Sequence, residues 1–196
     1  MKAVVKRKHP LLSAKHCKAC LNYAHAYKDW TVEDWKRVVW SDKTKINCLG
    51  SDGHKWVWKR PEEGLSDRLV EGTVKFGGGS VMIWGCITWE GVRYAAKIDG
   101  RMNNDLYLQI LKDDLLNTLK YHGHNPFDII FQQDNDPKHI NKKVKKWLEE
   151  QEFRTMDWPA QSPDLNPIEH LWVFLKRKLL EHEYPFNGIC KLWERI

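Results

Sequence analysis

The sequence predicts an α/β fold, and three observations support this prediction. Apolar runs of strand length alternate along the chain with segments of helical periodicity. The order of the expected elements is strands, helix, strand, helix, strand, helix, which is the pattern of an α/β domain. The 196 residues fit one domain, and a hydrophobic fraction of 42% that includes 11 Trp is enough for a sizeable core.

The N-terminal part of the chain is predicted to begin with helices and to continue into short strands. Residues 1–10 are basic and end in Pro10, so we interpret them as a tail or linker. Ser13 is a candidate N-cap for a helix over 13–29, and Thr31-Val-Glu-Asp34 has the pattern of a capping box. The elements expected next are strands over 36–42, 45–49 and 55–58 and a polar loop over 59–72.

The remainder is predicted to alternate strands and helices. The turn Glu90-Gly91 joins a strand over 81–89 to one over 92–98 as a hairpin. An apolar stripe predicts a helix over 103–121. Its members are Leu106, Ile110, Leu111, Leu115 and Leu119. The elements expected last are a strand over 128–133, a helix over 139–150, a short strand over 153–157 and a helix over 167–183.

Composition limits the class of protein. The net charge of +6 and the pI of about 9.0 suit a polyanionic partner, although many basic proteins bind none. No apolar run approaches a membrane span, and the N-terminus lacks a secretory core. Five scattered Cys suit a reducing, intracellular compartment. Cys17-Lys-Ala-Cys20 lies near two His, but without a second Cys pair structural thiols are favoured over a zinc site.

The loop over 158–172 delivers a carboxylate to the start of a helix. Pro167 fits the first helical position, Asn166 is a good N-cap, and Glu169 follows three residues later, as in a capping box. A well-capped helix start is the ordinary interpretation of this pattern. Three prolines in one short loop, however, fix the path of the chain more rigidly than a cap requires. A catalytic carboxylate does require such rigidity.

Two further acids end apolar runs of strand length. Asp134 ends the run over 128–134, and Asp42 ends the run over 36–42. One strand-end Asp is a common turn residue, but two of them together with Glu169 form a constellation. Clustered carboxylates raise each other's pKa, so such a group is stable only with a cation. Mg²⁺ takes oxygen ligands, and two ions about 4 Å apart hold both reacting oxygens of a phosphodiester.

Four ordered motifs resemble the catalytic domain of Tc/mariner-type DDE transposases. They are Trp40-Ser-Asp42, Gly77-Gly-Gly-Ser-Val-Met-Ile-Trp-Gly85, Gln133-Asp-Asn-Asp-Pro-Lys-His139 and Trp158-Pro-Ala-Gln-Ser-Pro-Asp-Leu-Asn-Pro-Ile-Glu-His-Leu-Trp172. The gap between Asp134 and Glu169 matches the Tc-like branch of that superfamily. The motifs cover most of residues 30–183, so the resemblance is specific.

The resemblance implies a ribonuclease H-like fold, with a central mixed five-stranded sheet flanked by helices. It implies that Asp42, Asp134 and Glu169 are the catalytic, metal-binding triad. The implied cofactor is Mg²⁺ or Mn²⁺, as two ions, with no small-molecule cofactor. The implied activity is metal-dependent phosphodiester hydrolysis and DNA strand transfer. DNA is the implied partner and the nucleus the implied location, and a homodimer is left open.

Candidate DNA contacts flank these acids. They are Gly77, Gly78, Gly79, Lys138, His139, Lys142 and Lys143. The glycines form either a plain turn or a place where a ligand backbone comes close. The lysine run over 142–146 is favoured as a solvated helix face over a phosphate contact. His139 either orients the substrate or a metal-bound water, or is a helix-start His with no metal role.

Lys43 departs from the family pattern, because an acid often follows the first Asp. A cation there would compete with metal if the strand bends, whereas side-chain alternation along a strand would turn Lys43 away from Asp42. The paired helix-turn-helix modules of such proteins are missing, so we expect no site-specific end binding. A catalytically decayed, basic DNA-binding or dimerising remnant is the alternative. The expected domains are 1–30 (basic linker and helix), 31–185 (catalytic) and 186–196 (C-terminal remnant).

Overall fold

A five-stranded sheet lies at the centre of the described residues. The computed structural model describes residues 12–48, 79–181 and 188–196. The strands are β1 (Val38–Asn47), β2 (Ser80–Thr88), β3 (Gly91–Ile98), β4 (Ile130–Gln132) and β5 (Arg154–Thr155). Their order is β3-β2-β1-β4-β5, with antiparallel pairing among β1, β2 and β3 and parallel pairing of β1 with β4 and of β4 with β5. The expected mixed five-stranded sheet is confirmed.

Helices account for most of the remaining described residues. They are α1 (Ala14–Tyr27), α2 (Val32–Lys36), α3 (Asn104–Ile110), α4 (Leu116–His122), α5 (Lys142–Glu150), α6 (Ile168–Leu180) and α7 (Ile189–Trp193). A π-helical turn, Leu111–Leu115, joins α3 to α4, so the helix expected over 103–121 is confirmed as one continuous path. Ser13 and Thr31 each form the capping box that their sequences predict, at the starts of α1 and α2.

The prediction of separate strands over 36–42 and 45–49 is wrong. The antiparallel ladder between β1 and β2 runs without a break from Trp40 to Asn47 and includes the pair of Asp42 with Gly85. A partner strand along this whole length outweighs the weak strand propensity of Asp and Lys. Asp42 is therefore inside β1. It lies just past the point where β1 stops pairing with β4, since the last pair joins Trp40 to Gln132.

The helix expected over 139–150 begins later than predicted. Asn141 caps α5 by accepting a hydrogen bond at Oδ1 from the Lys143 N–H, at 2.9 Å. His139 therefore lies in the turn before the helix, not at its start. Several predicted features lie outside the described residues. These are the tail 1–10, the strand 55–58, the loop 59–72, Gly77 and Gly78.

Two hydrophobic cores cover the two faces of the sheet. Successive residues of β2 point to opposite faces, so Trp84 enters one core and Ile83 the other. The first core is closed by α3, α4 and α5, and the second by α6 and α7. Leu192 of α7 is fully buried in the second core. Residues 188–196 therefore pack with the sheet, while the predicted domain limits stay a prediction.

The described residues also bear on the predictions made from composition. None of their helices combines the length and the apolar character that a membrane crossing requires. All five cysteines are free thiols, Cys48 and Cys86 being buried. Cys17 and Cys20 do not belong to a group of three or more potential metal ligands among these residues.

Candidate active site

The pairing of β1 with β4 brings two predicted site residues to one edge of the sheet. Asp42 lies on β1 just beyond the end of β4, and Asp134 follows the end of β4 by two residues. Because the two strands are parallel, both acids lie toward the same end of them. The helix α6 packs against β1 and carries Glu169 in its first turn. The fold thus brings all three acid-bearing segments to one region.

A network of buried polar side chains joins these three segments. The Ser41 N–H donates to Gln132 Oε1 at 3.0 Å, and the Ser41 hydroxyl donates to the Gln132 carbonyl at 2.7 Å. The Asn166 amide donates to the Ser41 carbonyl at 3.2 Å and lies 3.4 Å from Gln132 Oε1. Gln132 is fully buried. These hydrogen bonds tie β1, β4 and the segment before α6 together, although Gln132 Nε2 has no hydrogen-bond partner among the described residues.

Sequence reasoning missed Ser41 and Gln132. The signal available was a Gln at the end of the apolar run of β4, where a buried amide needs a partner. Ser41 is 91 residues away from Gln132 in the sequence and Asn166 is 34 residues away, so no local pattern identifies these partners.

Asp42 is half-buried and held by neutral donors. Burial raises the pKa of its carboxyl, and the nearby Asp134 carboxylate adds to the rise. Hydrogen bonds from the Lys43 N–H and the Trp172 indole act in the opposite direction but do not outweigh burial. The indole Nε1–H donates to Asp42 Oδ2 at 3.1 Å. No local pattern predicts this contact, because Asp42 and Trp172 are 130 residues apart in the sequence.

Asp134 is held in the opposite way, by contacts that together outweigh its burial. Its Oδ1 contacts His139 Nδ1 and accepts a hydrogen bond from the Asp136 N–H at 3.1 Å. Its Oδ2 lies 3.9 Å from Lys43 Nζ. Burial alone would raise the pKa of Asp134, but His139, the Asp136 N–H and Lys43 together lower it below its ordinary value.

Lys43 turns toward the Asp134 loop. Its Nζ donates to Asp136 Oδ2 at 2.7 Å, and Lys138 Nζ lies 3.2 Å from the same oxygen. These cations and the Lys138 N–H hold the pKa of Asp136 well below its usual range, although burial opposes them. The ion pairs of Lys43 among the described residues are with Asp136 and Asp134 and not with Asp42, which agrees with the alternative in which side-chain alternation turns Lys43 away from Asp42.

His139 lies beneath this loop and is almost completely buried. Its ring stacks on Tyr107, with centroids 3.9 Å apart. The Tyr107 hydroxyl donates to Gln133 Oε1 at 2.9 Å, which ties the stack to the residue before Asp134. His139 Nε2 has no hydrogen-bond partner among the residues described. The arrangement fixes the imidazole with Nδ1 on Asp134.

Glu169 occupies the first turn of α6 but does not complete the predicted capping box. The Asn166 N–H donates to the Pro163 carbonyl at 3.0 Å, since a 3-10 turn over Pro163–Leu165 precedes the helix. Asn166 Oδ1 accepts a hydrogen bond from the Ile168 N–H at 3.3 Å, but α6 begins at Ile168, so Pro167 and not Asn166 is the N-cap residue. Burial and the Asp42 carboxylate raise the pKa of Glu169. The rise caused by Asp42 reflects electrostatic repulsion between the two carboxylates.

The donor chemistry of this site fits a hard divalent cation. Carboxylate oxygens are the ligands that Mg²⁺ and Mn²⁺ prefer. The mutual effects on pKa join Asp42 to both Asp134 and Glu169, as expected for like charges in one region. Within residues 12–48, 79–181 and 188–196, however, no three potential ligands stand closely enough to hold an ion. The convergence of all three acids on metal therefore stays a prediction, and it requires Asp134 to turn from its present partners.

The candidate DNA contacts differ in their surroundings. Lys142 and Lys143 lie exposed on α5, where Lys143 Nζ pairs with Asp105 at 2.7 Å. Gly79 has φ of +91°, and a Cβ there would lie 3.0 Å from the Ile189 side chain. Gly79 thus has a conformational and packing reason to be glycine. Contact of any of these residues with DNA is not tested by this geometry.

Known proteins are similar to this chain in sequence and in fold. The family model described as DDE superfamily endonuclease matches residues 37–187. The chain is 41% identical over 195 residues to the Tcb2 transposase of Caenorhabditis briggsae and 37% identical over 194 residues to the Tc1 transposase of Caenorhabditis elegans. Each alignment covers 96% of this chain and 70% of the relative.

A solved structure shares the fold across nearly the whole chain. In the Mos1 transposase paired-end complex with left transposon end, 57% of the Mos1 chain superposes on 99% of this one. The TM-score is 0.80 and the sequence identity 21%. At that identity the similarity establishes the fold alone. The predicted ribonuclease H-like fold is confirmed.

Proposed function

Because the chain belongs to the DDE superfamily of endonucleases, we propose that it hydrolyses DNA phosphodiesters and transfers DNA strands in a metal-dependent reaction. One observation carries the proposal. Asp42 and Glu169 both have a raised pKa at the edge where Asp134 lies, although the sheet and α6 deliver them from distant parts of the sequence. Such carboxylate clusters recur at functional sites because a bound cation compensates their repulsion.

The three acids would hold the ions. We propose that Asp42 and Asp134 would be the main ligands of two divalent cations and that Glu169 would complete the ligand set. When bound, the ions supply Lewis-acid stabilisation to the attacking and leaving oxygens of the phosphodiester. Structures of Mos1 with Mg and with Mn support the choice of Mg²⁺ or Mn²⁺. His139 would restrict Asp134 to a narrow range of orientations, since it contacts that carboxylate from a buried position.

DNA is the proposed substrate and partner. The net charge of +6 suits it, and the Mos1 complex with a transposon end supports it. Lys138, Lys142 and Lys143 would contact phosphates, which makes binding nonspecific and sensitive to salt. A nuclear location follows from this substrate and suits five free thiols. A homodimer is a further proposal, which sedimentation with and without DNA would test.

A metal-titrated cleavage assay tests the proposed reaction. Labelled duplex DNA would be incubated with the chain and increasing Mn²⁺ or Mg²⁺, beside Asp42→Asn and the exposed control Lys45→Ala. We expect metal-dependent cleavage by the wild type and by the control, and none by Asp42→Asn. Cleavage that persists in Asp42→Asn would refute the assignment of the site.

A decayed DNA-binding remnant is the second candidate. Lys43 favours it, because an ammonium 3.9 Å from Asp134 competes with a divalent cation for that carboxylate. In that case the chain would bind duplex DNA with the salt dependence expected above, and the same assay would give no cleavage at any metal concentration. Recovery of cleavage in Lys43→Glu would then identify Lys43 as the cause of the decay.

A further inference from the structure

Two residues of α6 face the candidate site from the same side of the helix. Glu169 and Trp172 are three positions apart, which places their side chains on one face. Trp172 is only 4% exposed, and its indole N–H reaches Asp42 Oδ2 at 3.1 Å. The helix that presents one acid of the site therefore also supplies a hydrogen-bond donor to another.

Gly85 provides the space that the indole ring occupies. Gly85 lies directly opposite Asp42 in the ladder between β1 and β2. A Cβ at this position would lie 2.9 Å from Cη2 of Trp172, which is closer than such contacts occur. Any larger residue at position 85 would push the ring away from β1. The absence of a side chain at Gly85 is thus a condition for the hydrogen bond to Asp42.

Packing explains the burial of Trp172 but not the direction of its N–H. The ring belongs to the second core, with Ile168 and Leu179. A buried indole N–H needs an acceptor, and a carbonyl oxygen would satisfy it as well as a carboxylate. Its acceptor here is one oxygen of a proposed metal ligand. A neutral donor orients that carboxylate without cancelling the negative charge that a cation requires.

We propose that Trp172 is a positioning residue for Asp42, and that Gly85 holds the indole in place for this role. The N–H holds Oδ2 and would thereby keep the carboxylate in one orientation when a divalent cation binds. The inference rests on the proposed function, because it assumes that Asp42 binds metal. Groups that orient a metal ligand contribute strongly to affinity, and their removal commonly weakens binding by about 10-fold or more.

Mn²⁺ binding to the purified chain tests the inference without relying on catalysis. Free Mn²⁺ would be measured by electron paramagnetic resonance during a titration, and the melting temperature would be recorded without metal. Trp172→Phe keeps an aromatic ring but removes the donor. We expect it to weaken Mn²⁺ binding about 10-fold. The matched control is Trp147→Phe, a buried Trp of the other core, which should leave Mn²⁺ binding unchanged.

Gly85→Ala supplies an independent variant. It leaves Trp172 intact but displaces the ring, so we expect a similar loss of Mn²⁺ affinity. The double variant should bind no more weakly than either single one, because both changes break one hydrogen bond. If Trp172→Phe does not fold, Gly85→Ala together with the metal-free melting temperature decides the question.

Asp42→Asn separates failure of this inference from failure of the proposed function. Loss of Mn²⁺ binding in Asp42→Asn with wild-type binding in both Trp172→Phe and Gly85→Ala would overturn the positioning role and leave the proposed function standing. Wild-type Mn²⁺ binding in Asp42→Asn would overturn both. Additive losses in the double variant would also overturn the shared role of Trp172 and Gly85.

Discussion

Asp42 lies on β1 and Asp134 lies just beyond the end of the neighbouring strand β4, yet the protein holds the two carboxylates in opposite ways. Asp42 receives neutral donors, from the Lys43 backbone and the Trp172 indole, and its pKa is raised mainly by burial. Asp134 contacts His139 and lies near Lys43, and its pKa is lowered. Burial dominates at Asp42, where the charge of Lys43 is only a minor opposing influence, whereas His139, the Asp136 N–H and Lys43 together outweigh burial at Asp134.

The different surroundings of Asp42 and Asp134 indicate how each carboxylate would contribute to binding a divalent cation. If the proposed site binds metal, the ion would offset the cost of burying the Asp42 carboxylate, so Asp42 would contribute directly to metal affinity. At Asp134 the ion would compete with the contacts to His139 and Lys43, which would lower the net contribution of Asp134 to metal affinity.

The largest expected effect is on DNA cleavage. Asp42→Asn and Asp134→Asn should each reduce the rate by at least about 100-fold, which corresponds to about 3 kcal/mol of lost transition-state stabilisation. Single-turnover cleavage at saturating Mn²⁺ is the measurement, with Asp105→Asn on α3 as the control. A variant of either acid that cleaves at the wild-type rate would remove that residue from the site.

Stability of the metal-free protein should separate the two acids. A raised pKa means that folding disfavours the ionised form, so the charge of Asp42 destabilises the fold above its ordinary pKa of 3.8. We expect Asp42→Asn to raise the melting temperature at pH 7 by about 2–4 °C. Asp134→Asn should lower it by a similar amount, because His139 and Lys43 lose a partner and the exposure of Asp134 limits the loss to about 1 kcal/mol.

Calorimetry of both variants in chelator would check this prediction. Shifts of the same sign would contradict the proposed difference between the two carboxylates. Lys36→Ala, which removes an exposed pair with Glu33, is the control for the general loss of a surface ion pair and should change the melting temperature little.

Lys43 should compete with a divalent cation for the Asp134 carboxylate. Lys43→Glu removes the ammonium from Asp134 and Asp136, so the Mn²⁺ concentration needed for half-maximal cleavage should fall, by about 3- to 10-fold. Lys45→Glu, on an exposed position of the same strand, makes the same change in net charge and should have a much smaller effect. An equal fall in both variants would indicate general electrostatics, and no fall in either would show Lys43 to be a bystander.

The smallest expected effect concerns an ion pair elsewhere in the fold. His124 Nε2 lies 2.8 Å from Glu90 Oε2 and, although burial opposes it, this contact lowers the pKa of Glu90 below its ordinary value of 4.5. A lowered carboxyl pKa gives stability that is present above 4.5 and is lost as the pH falls through the folded value. Glu90→Gln should cost less than about 1 kcal/mol at pH 6, and this cost should shrink as the pH falls below 4.5.

Denaturant unfolding of wild type and Glu90→Gln across this pH range is the measurement. The expected change is smaller than that of Asp134→Asn because the Glu90 carboxylate is exposed and away from the site. A cost for Glu90→Gln that grows as the pH falls would contradict the assigned direction of the pKa shift.

Local patterns in the sequence determined the order of the elements and singled out the three acids as candidates. Ser13 and Thr31 cap their helices as predicted, because a cap joins residues three apart. The π-helical turn did not obscure the apolar stripe of α3 and α4, since that stripe still faces one core. The resemblance of four motifs to the DDE transposases added the fold and the grouping of the acids, and the match to residues 37–187 confirms the family.

Only the tertiary structure decided how each acid is held. The partner of Asp42 is 130 residues away, the partner of Lys43 is 93 residues away, and Gln132 meets Ser41 across 91 residues. Pairing with β2 made β1 continuous through Asp42, and the turn before α6 took the Asn166 N–H from the predicted capping box. Sequence patterns report local preferences, whereas a carboxyl pKa depends on burial and on charges that chain folding brings together from distant positions.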